Sequence, residues 1–417
     1  MAAALLSHVV SDLCIGRPRV LTLPPSTPFA AALAALRTGT GADPFVFVFV
    51  DAEPAACRAK TTTATVYVKV SVADILCYLC GDAGNLRDPA AALGRPVAVV
   101  AAAVAAGHGV THRVDPQTRL IDAIDVLLTD GCQGLLVPLP ARARKRHHHA
   151  PSSDAAGGAL ATPDCCCVLT REDIVRHLFG SISRFSPVAA LTVASLGLVR
   201  RDVHVVHADD DGLDVIPLLR RAVSDGTAVA VVADDSALVG EICPGVLASC
   251  DVETVSAAFA ALSAGDAMAY IDCSLSHSPP EFLVRAIRAQ LAGKGLDAMA
   301  ELVECAGKDA ASLPLSPSLS SLSSTSSSDE DSSSLGRARR PRRMSSGSFG
   351  WRSTEDVVAC HSGSSLVAVM AQALAHRVGY VWVVDETSGA LVGVVTFADV
   401  LAVLREHLRP QSQVLCR

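Results

Sequence analysis

Aromatic side chains are scarce in this chain: they make up 4% of 417 residues, although half of all residues are hydrophobic. Its apolar character is carried largely by alanine and valine. Positive charge is in short supply as well. Thirty-five lysines and arginines face 42 aspartates and glutamates, a formal net charge of -7. Bulk electrostatics therefore give no reason to expect nucleic acid or an anionic membrane as partner. Long apolar runs are missing too. The longest, Val97 to Ala106, falls short of the roughly 18 residues a membrane span needs. Met1 to Val10 lack a basic leader and a clear cleavage signal, which argues against secretion and for a cytoplasmic address. The chain also has no Gly-rich phosphate loop, no paired strand-end carboxylates and no Cys/His metal cluster, so the expectation is a protein that is not an enzyme and needs no metal or cofactor.

Cysteine, by contrast, is plentiful, with fourteen residues. Cys165, Cys166 and Cys167 are consecutive in an apolar run, and most others sit singly among apolar neighbours. That pattern predicts reduced, buried thiols acting as small hydrophobes. Cys77-Tyr78-Leu79-Cys80 has redox or zinc-ligand spacing. No second pair lies nearby, so a structural role is the favoured reading.

What the chain does have is internal repetition, which settles architecture before anything else. An apolar strand runs into Ser/Thr-x-x-Asp three times: at Ser71 to Asp74, Thr170 to Asp173 and Thr396 to Asp399. Ahead of each step lies an amphipathic helical stripe with i, i+3, i+4 spacing. Leu366, Val369, Met370, Ala373 and Leu374 form one, Leu120, Ala123, Ile124, Leu127 and Leu128 another, and Phe29, Ala32, Leu33 and Leu36 a third. A fourth stripe, Val215, Leu218, Leu219, Ala222 and Val223, precedes the strands Ala228 to Ala233 and Leu238 to Ile242, where the step reads Cys243-Pro244-Gly245-Val246 and lacks both Ser/Thr and Asp. The expected fold class is α+β, built from four units of helix, strand, strand and helix with a lead-in strand. One such unit leaves a sheet face uncovered, so units one and two, and three and four, should pair. Ser186-Pro187 is the expected hinge between the pairs.

The order of elements, Gly393-Val394-Val395-Thr396-Phe397-Ala398-Asp399 at the last strand–helix junction and the run His376 to Asp385 resemble the CBS (cystathionine-β-synthase) domain. The whole chain is similar to plant CBS-domain proteins of the CBSX type with four repeats, notably at Val10 to Gly16, Leu262 to Asp272 and Ala375 to Val378. On that resemblance the domains are CBS repeat 1 at 10–82, repeat 2 at 95–182 with a basic and histidine-rich loop at 140–164, and a degenerate repeat 3 at 190–272. A helical extension follows at 279–306, then a disordered Ser/Arg-rich linker at 312–349 and repeat 4 at 354–408.

The resemblance implies two Bateman-type modules acting as a non-catalytic regulator of an unidentified enzyme or kinase. It also implies clefts for an adenosine-containing ligand such as AMP, ATP or S-adenosylmethionine, with homodimerisation through the modules as a further expectation. Carried over by motif, the ribose-binding carboxylates are Asp74, Asp173 and Asp399, with Ser71, Thr170 and Thr396 beside them, and His376 and Arg377 stand near a phosphate position. The glycine of Gly393 is replaced by Val68 and Cys167 in repeats one and two. The same Ser/Thr-x-x-Asp step is also close to a helix capping box, a purely structural device, and a scaffold that keeps the fold without the ligand is the alternative. In the linker, Ser345 and Ser346 follow Arg339-Arg340-Pro341-Arg342-Arg343-Met344. They are the expected phosphorylation sites, and the same arginines leave a nuclear address open.

Overall fold

In the computed structural model the described residues are 8–37, 45–51, 65–106, 110–129, 132–139, 166–276, 279, 281–303 and 357–408. The loop at 140–164, the segment 312–349 and its Ser345 and Ser346 lie outside them.

Apolar runs form the strands, most of them rich in valine and one, 45–50, alternating Phe and Val, as β-branched and aromatic side chains suit a pleated surface. The first unit is β1 (Thr22–Leu23), α1 (Phe29–Arg37), β2 (Phe45–Asp51), β3 (Thr65–Ser71) and α2 (Val72–Cys80), followed by α3 (Ala98–Ala106). The second is β4 (Val110–Arg113), α4 (Leu120–Leu127), β5 (Cys132–Pro138), β6 (Cys166–Leu169) and α5 (Arg171–Phe179). The third is β7 (Val205–His207), α6 (Val215–Asp225), β8 (Val229–Val232) and β9 (Leu238–Ile242), then α7 (Val252–Ala261), α8 (Ala264–Ser276) and α9 (Glu281–Gly293). The fourth is β10 (Ala359–Cys360), α10 (Leu366–His376), β11 (Tyr380–Val384), β12 (Leu391–Thr396) and α11 (Phe397–Leu408). In every unit the lead-in strand runs parallel to the first strand of an antiparallel hairpin.

Sheets pair sequence neighbours and helices pair the others. Units one and two fuse into one six-stranded sheet, β3 running antiparallel to β4 with Tyr67 opposite Thr111 and Val68 opposite Val110. Their sheet faces also share Phe47, Leu136, Cys166 and Val168. Units three and four keep separate three-stranded sheets, which meet through Ala230, Leu238, Tyr380, Trp382 and Val394. This is the pairing expected from the sequence. The helical faces then build two larger cores that cross it. One joins units one and three through Phe29, Ile75, Leu79, Leu219 and Phe259, and the other joins units two and four through Ile124, Ile174, Leu366, Met370 and Leu401. Arg405 braces the second core from outside, clasping both oxygens of Asp125 at 2.6 and 2.7 Å.

Three local findings refine the sequence reading. After β9 the closing helix of unit three lasts one turn, Pro244–Leu247, and restarts at α7 under an Asp251 cap donated to by Thr254 N–H. A Pro-Gly start without a capping side chain is a weak helix nucleus. The expected hinge at Ser186-Pro187 is instead a packed helical turn, Ser186–Ala189, flanked by buried Phe185 and Ala189. Proline suits the first turn of a helix, where its missing N–H is not needed. The thiols of Cys77 and Cys80 are both free and buried on α2, and burial pushes Cys80 up to about 12. They are core residues.

Candidate ligand-binding site

Each Ser/Thr-x-x-Asp step sits where an apolar strand ends and a helix begins, and in all three the capping box is formed. Asp74 Oδ2 accepts from Ser71 N–H at 2.8 Å and from its hydroxyl at 2.7 Å. Asp173 Oδ2 does the same with Thr170, at 2.8 and 2.9 Å. Asp399 Oδ2 repeats it with Thr396, at 2.9 and 2.6 Å. One oxygen of each carboxylate thus holds the helix start, and Oδ1 of Asp173 is in turn ion-paired with Arg17. In unit three Cys243 stands in the cap position, its thiol raised by burial, and no carboxylate follows.

Units one, two and four turn these steps toward a common space. A cavity of about 620 Å³ is walled by Ser71 and Asp74 from unit one, Thr170 and Asp173 from unit two, Cys243 to Gly245 from unit three, and Arg377 and Thr396 from unit four. Of the residues expected from the sequence, Ser71, Asp74, Thr170, Asp173, Arg377 and Thr396 come together here. Asp399 and His376 are not part of the wall. Asp399 lies within electrostatic reach of Arg171, and His376 is exposed at the end of α10.

The wall also carries charges that motif reading missed. Arg17, Arg19, Lys69, Arg171, Arg176 and Arg377 face Asp74, Glu172, Asp173 and Asp225, so the cavity is cationic inside an acidic chain. Arg171 is spent on structure: its Nε and Nη2 donate to the carbonyls of Leu127 and Cys132 at 3.2 and 2.9 Å. Burial pulls its guanidinium below the usual value, and Cys132, Asp225 and Asp399 oppose that shift. Arg176 is bonded to Glu172 at 2.5 Å, and Lys69 lies 4.7 Å from the centre of the Phe45 ring. Asp225 is held below the usual carboxylate range by its hydrogen bond to His204, with Arg200 and Arg171 helping. The side chains of Arg19 and Arg377 line the cavity, exposed, and make no hydrogen bond or ion pair among the described residues.

Arg377 adopts a left-handed backbone, φ 56° and ψ 39°, as the cap of α10. The equivalent cap of α6 is Gly226, with φ 69°. A side chain at that conformation is uncommon outside glycine; here it sets an arginine at the cavity mouth. The signal for most of these cations was present but scattered. Arg171 follows Thr170 directly, and Arg17 and Arg19 precede the first lead-in strand.

Comparison with known proteins agrees with this architecture. The CBS domain model matches residues 352–406. The chain is 36% identical to the CBS domain-containing protein CBSX5 of Arabidopsis thaliana, over 98% of this chain and 99% of that one. It is 25% identical to CBSX6 of the same plant, over 98% of this chain and 95% of the other. The crystal structure of the protein MJ1225 from Methanocaldococcus jannaschii, described as a candidate archaeal homologue of γ-AMPK, aligns with a TM-score of 0.50 at 15% identity. That alignment covers 95% of this chain and all of the other, and it speaks for the fold. Fourfold strand–helix repetition, sheet-paired modules and near full-length identity together place the chain in the family of plant CBS domain-containing proteins of the CBSX type.

Proposed function

We propose that the protein is a non-catalytic regulator that binds one adenosine-containing ligand in the central cavity and passes the bound state to a partner enzyme or kinase. The observation that carries this reading is the convergence of Ser71, Asp74, Thr170, Asp173 and Thr396 with Arg19 and Arg377 on one cavity of about 620 Å³, within the usual range for a small-molecule site. Asp74 and Asp173 are the ribose acceptors, while Arg19 and Arg377 take the phosphates, a charge-assisted contact that guanidinium forms well. Each repeat contributes a part, so occupancy biases the way the two modules sit together. That is the differential contact a regulator needs.

A second reading, a ligand-free interaction scaffold, draws support from the capping boxes, which explain the aspartates without any ligand. Calorimetric titration with AMP, ATP and S-adenosylmethionine separates the two. Saturable binding of one of them that is lost in Asp173→Asn supports the regulator. Silence toward all three leaves the scaffold.

A further inference from the structure

We propose that Arg17 is the specificity gate on the Asp173 side of the cavity: it occupies the outer oxygen of Asp173 and yields it to ligands that bring an anionic group, so the site takes phosphorylated nucleosides and refuses uncharged ones. The inference rests on the adenosine-ligand reading and names the class of ligand within it.

Both oxygens of Asp173 are engaged. Oδ2 holds the start of α5 through Thr170, and Oδ1 is ion-paired with the Arg17 guanidinium. The aspartate side chain is 12% exposed and the arginine 31%, so the pair sits in the cavity wall rather than in bulk water. Backbone contacts bracket Arg17 on both sides. Its N–H donates to Cys14 O at 3.2 Å, and three residues on, Val20 N–H donates to Cys166 O at 3.0 Å. The main chain is therefore held, and the guanidinium, whose Nε donates to Leu13 O at 3.0 Å, leaves Asp173 by side-chain rotation. Asp399 makes a useful contrast, since no hydrogen bond to its Oδ1 is formed among the described residues.

A neutral nucleoside that places its ribose hydroxyls on Asp173 must break this ion pair and strand a half-buried guanidinium, which is costly. A nucleotide breaks the same pair but returns a phosphate to Arg17, with Arg19 and Arg377 on the same wall to share its charge. The gate thus converts a contact that blocks the site into one that reads phosphate.

The test is titration calorimetry of adenosine and AMP with the full chain, as wild type and as Arg17→Gln, a substitution at a partly exposed position whose folding is checked by thermal melting. Losing a hydrogen bond to a charged group corresponds to about 10- to 100-fold in affinity. Wild type is expected to prefer AMP over adenosine by about that margin, and Arg17→Gln to narrow the preference at least roughly tenfold, mostly through tighter adenosine binding. Adenosine binding seen only in Arg17→Gln also supports the gate. An unchanged AMP-to-adenosine ratio, with both ligands still binding, overturns the gate and leaves the adenosine reading standing. If neither ligand binds either protein, the adenosine reading fails and the gate with it.

Discussion

A β-carbon at Gly393 would lie 2.3 Å from the carbonyl oxygen of Arg200 and 2.8 Å from Val199 Cγ1. The segment at 199–200 crosses β12 at this point, with Arg200 and Val394 exchanging backbone hydrogen bonds of 2.9 Å. The glycine of this repeat therefore answers to the neighbouring 199–200 segment of the same chain. Val68 and Cys167, at the same step in units one and two, are fully buried side chains filling the cores. What reads in sequence as an eroded binding motif is a difference in packing. Gly393→Ala should destabilise the fold by about 1–3 kcal/mol in urea denaturation, with no matching cost expected for Val68→Ala beyond its lost burial.

Glu241 is a second residue with a definite signature. It sits between the sheets of units three and four, its Oε2 accepting from Trp382 Nε1–H at 2.6 Å and Tyr380 O–H at 3.0 Å. Burial raises its carboxyl above the usual range, and the hydrogen bonds from Trp382 and Tyr380 only partly offset that. A raised carboxyl means that the folded state holds its proton more tightly than the unfolded one. Its contribution to stability is greatest at pH below the ordinary carboxylate range and falls as pH rises through the elevated value. Glu241→Gln keeps an acceptor for both donors and should flatten that decline, measured as denaturation midpoints between pH 4 and 8. Glu241→Leu strands two donors and should cost about 1–3 kcal/mol for each.

Among the elements, the first helices of all four units were legible because a buried face repeats at 3.6 residues, and each stripe named from sequence is buried: Phe29 and Leu36, Leu120 and Ile124, Leu219 and Ala222, Leu366 and Met370. Strand ends shifted by a residue or more where flanking positions such as Thr65 or Cys132 join a ladder. The broken closing helix of unit three could be suspected from Pro244-Gly245, but its restart at Asp251 depends on tertiary packing of α7 against α2. The cavity wall was legible where it coincides with a motif, at Ser71, Thr170 and Thr396. It was hidden where isolated arginines from distant segments converge, since no local pattern encodes that meeting. The capping box makes an element-scale claim of its own. Thr170→Ala should lower stability by about 1 kcal/mol without any ligand present, and an unchanged denaturation midpoint would show that Thr170 does not hold the start of α5.

At the scale of the whole molecule, a hydrophobic stripe tells that a face is buried but not against what, so the crossing of the two cores was not readable in advance. Its consequence is cooperativity. Each helical core draws on both modules, as with Ile75 and Leu219 in one and Ile174 and Leu401 in the other, so neither module should melt alone. Scanning calorimetry should give one transition, and Leu219→Ala should shift that whole transition by an amount equivalent to about 2–5 kcal/mol. Two separated transitions would mean the modules are independent.

The same architecture brings all four repeats to one cavity, and ligand stoichiometry tests that most directly. In a calorimetric titration of the full chain with AMP, the account predicts saturation at one ligand per chain, abolished by Asp173→Asn. Saturation at two or more per chain, or an isotherm that Asp173→Asn leaves unchanged, would contradict it.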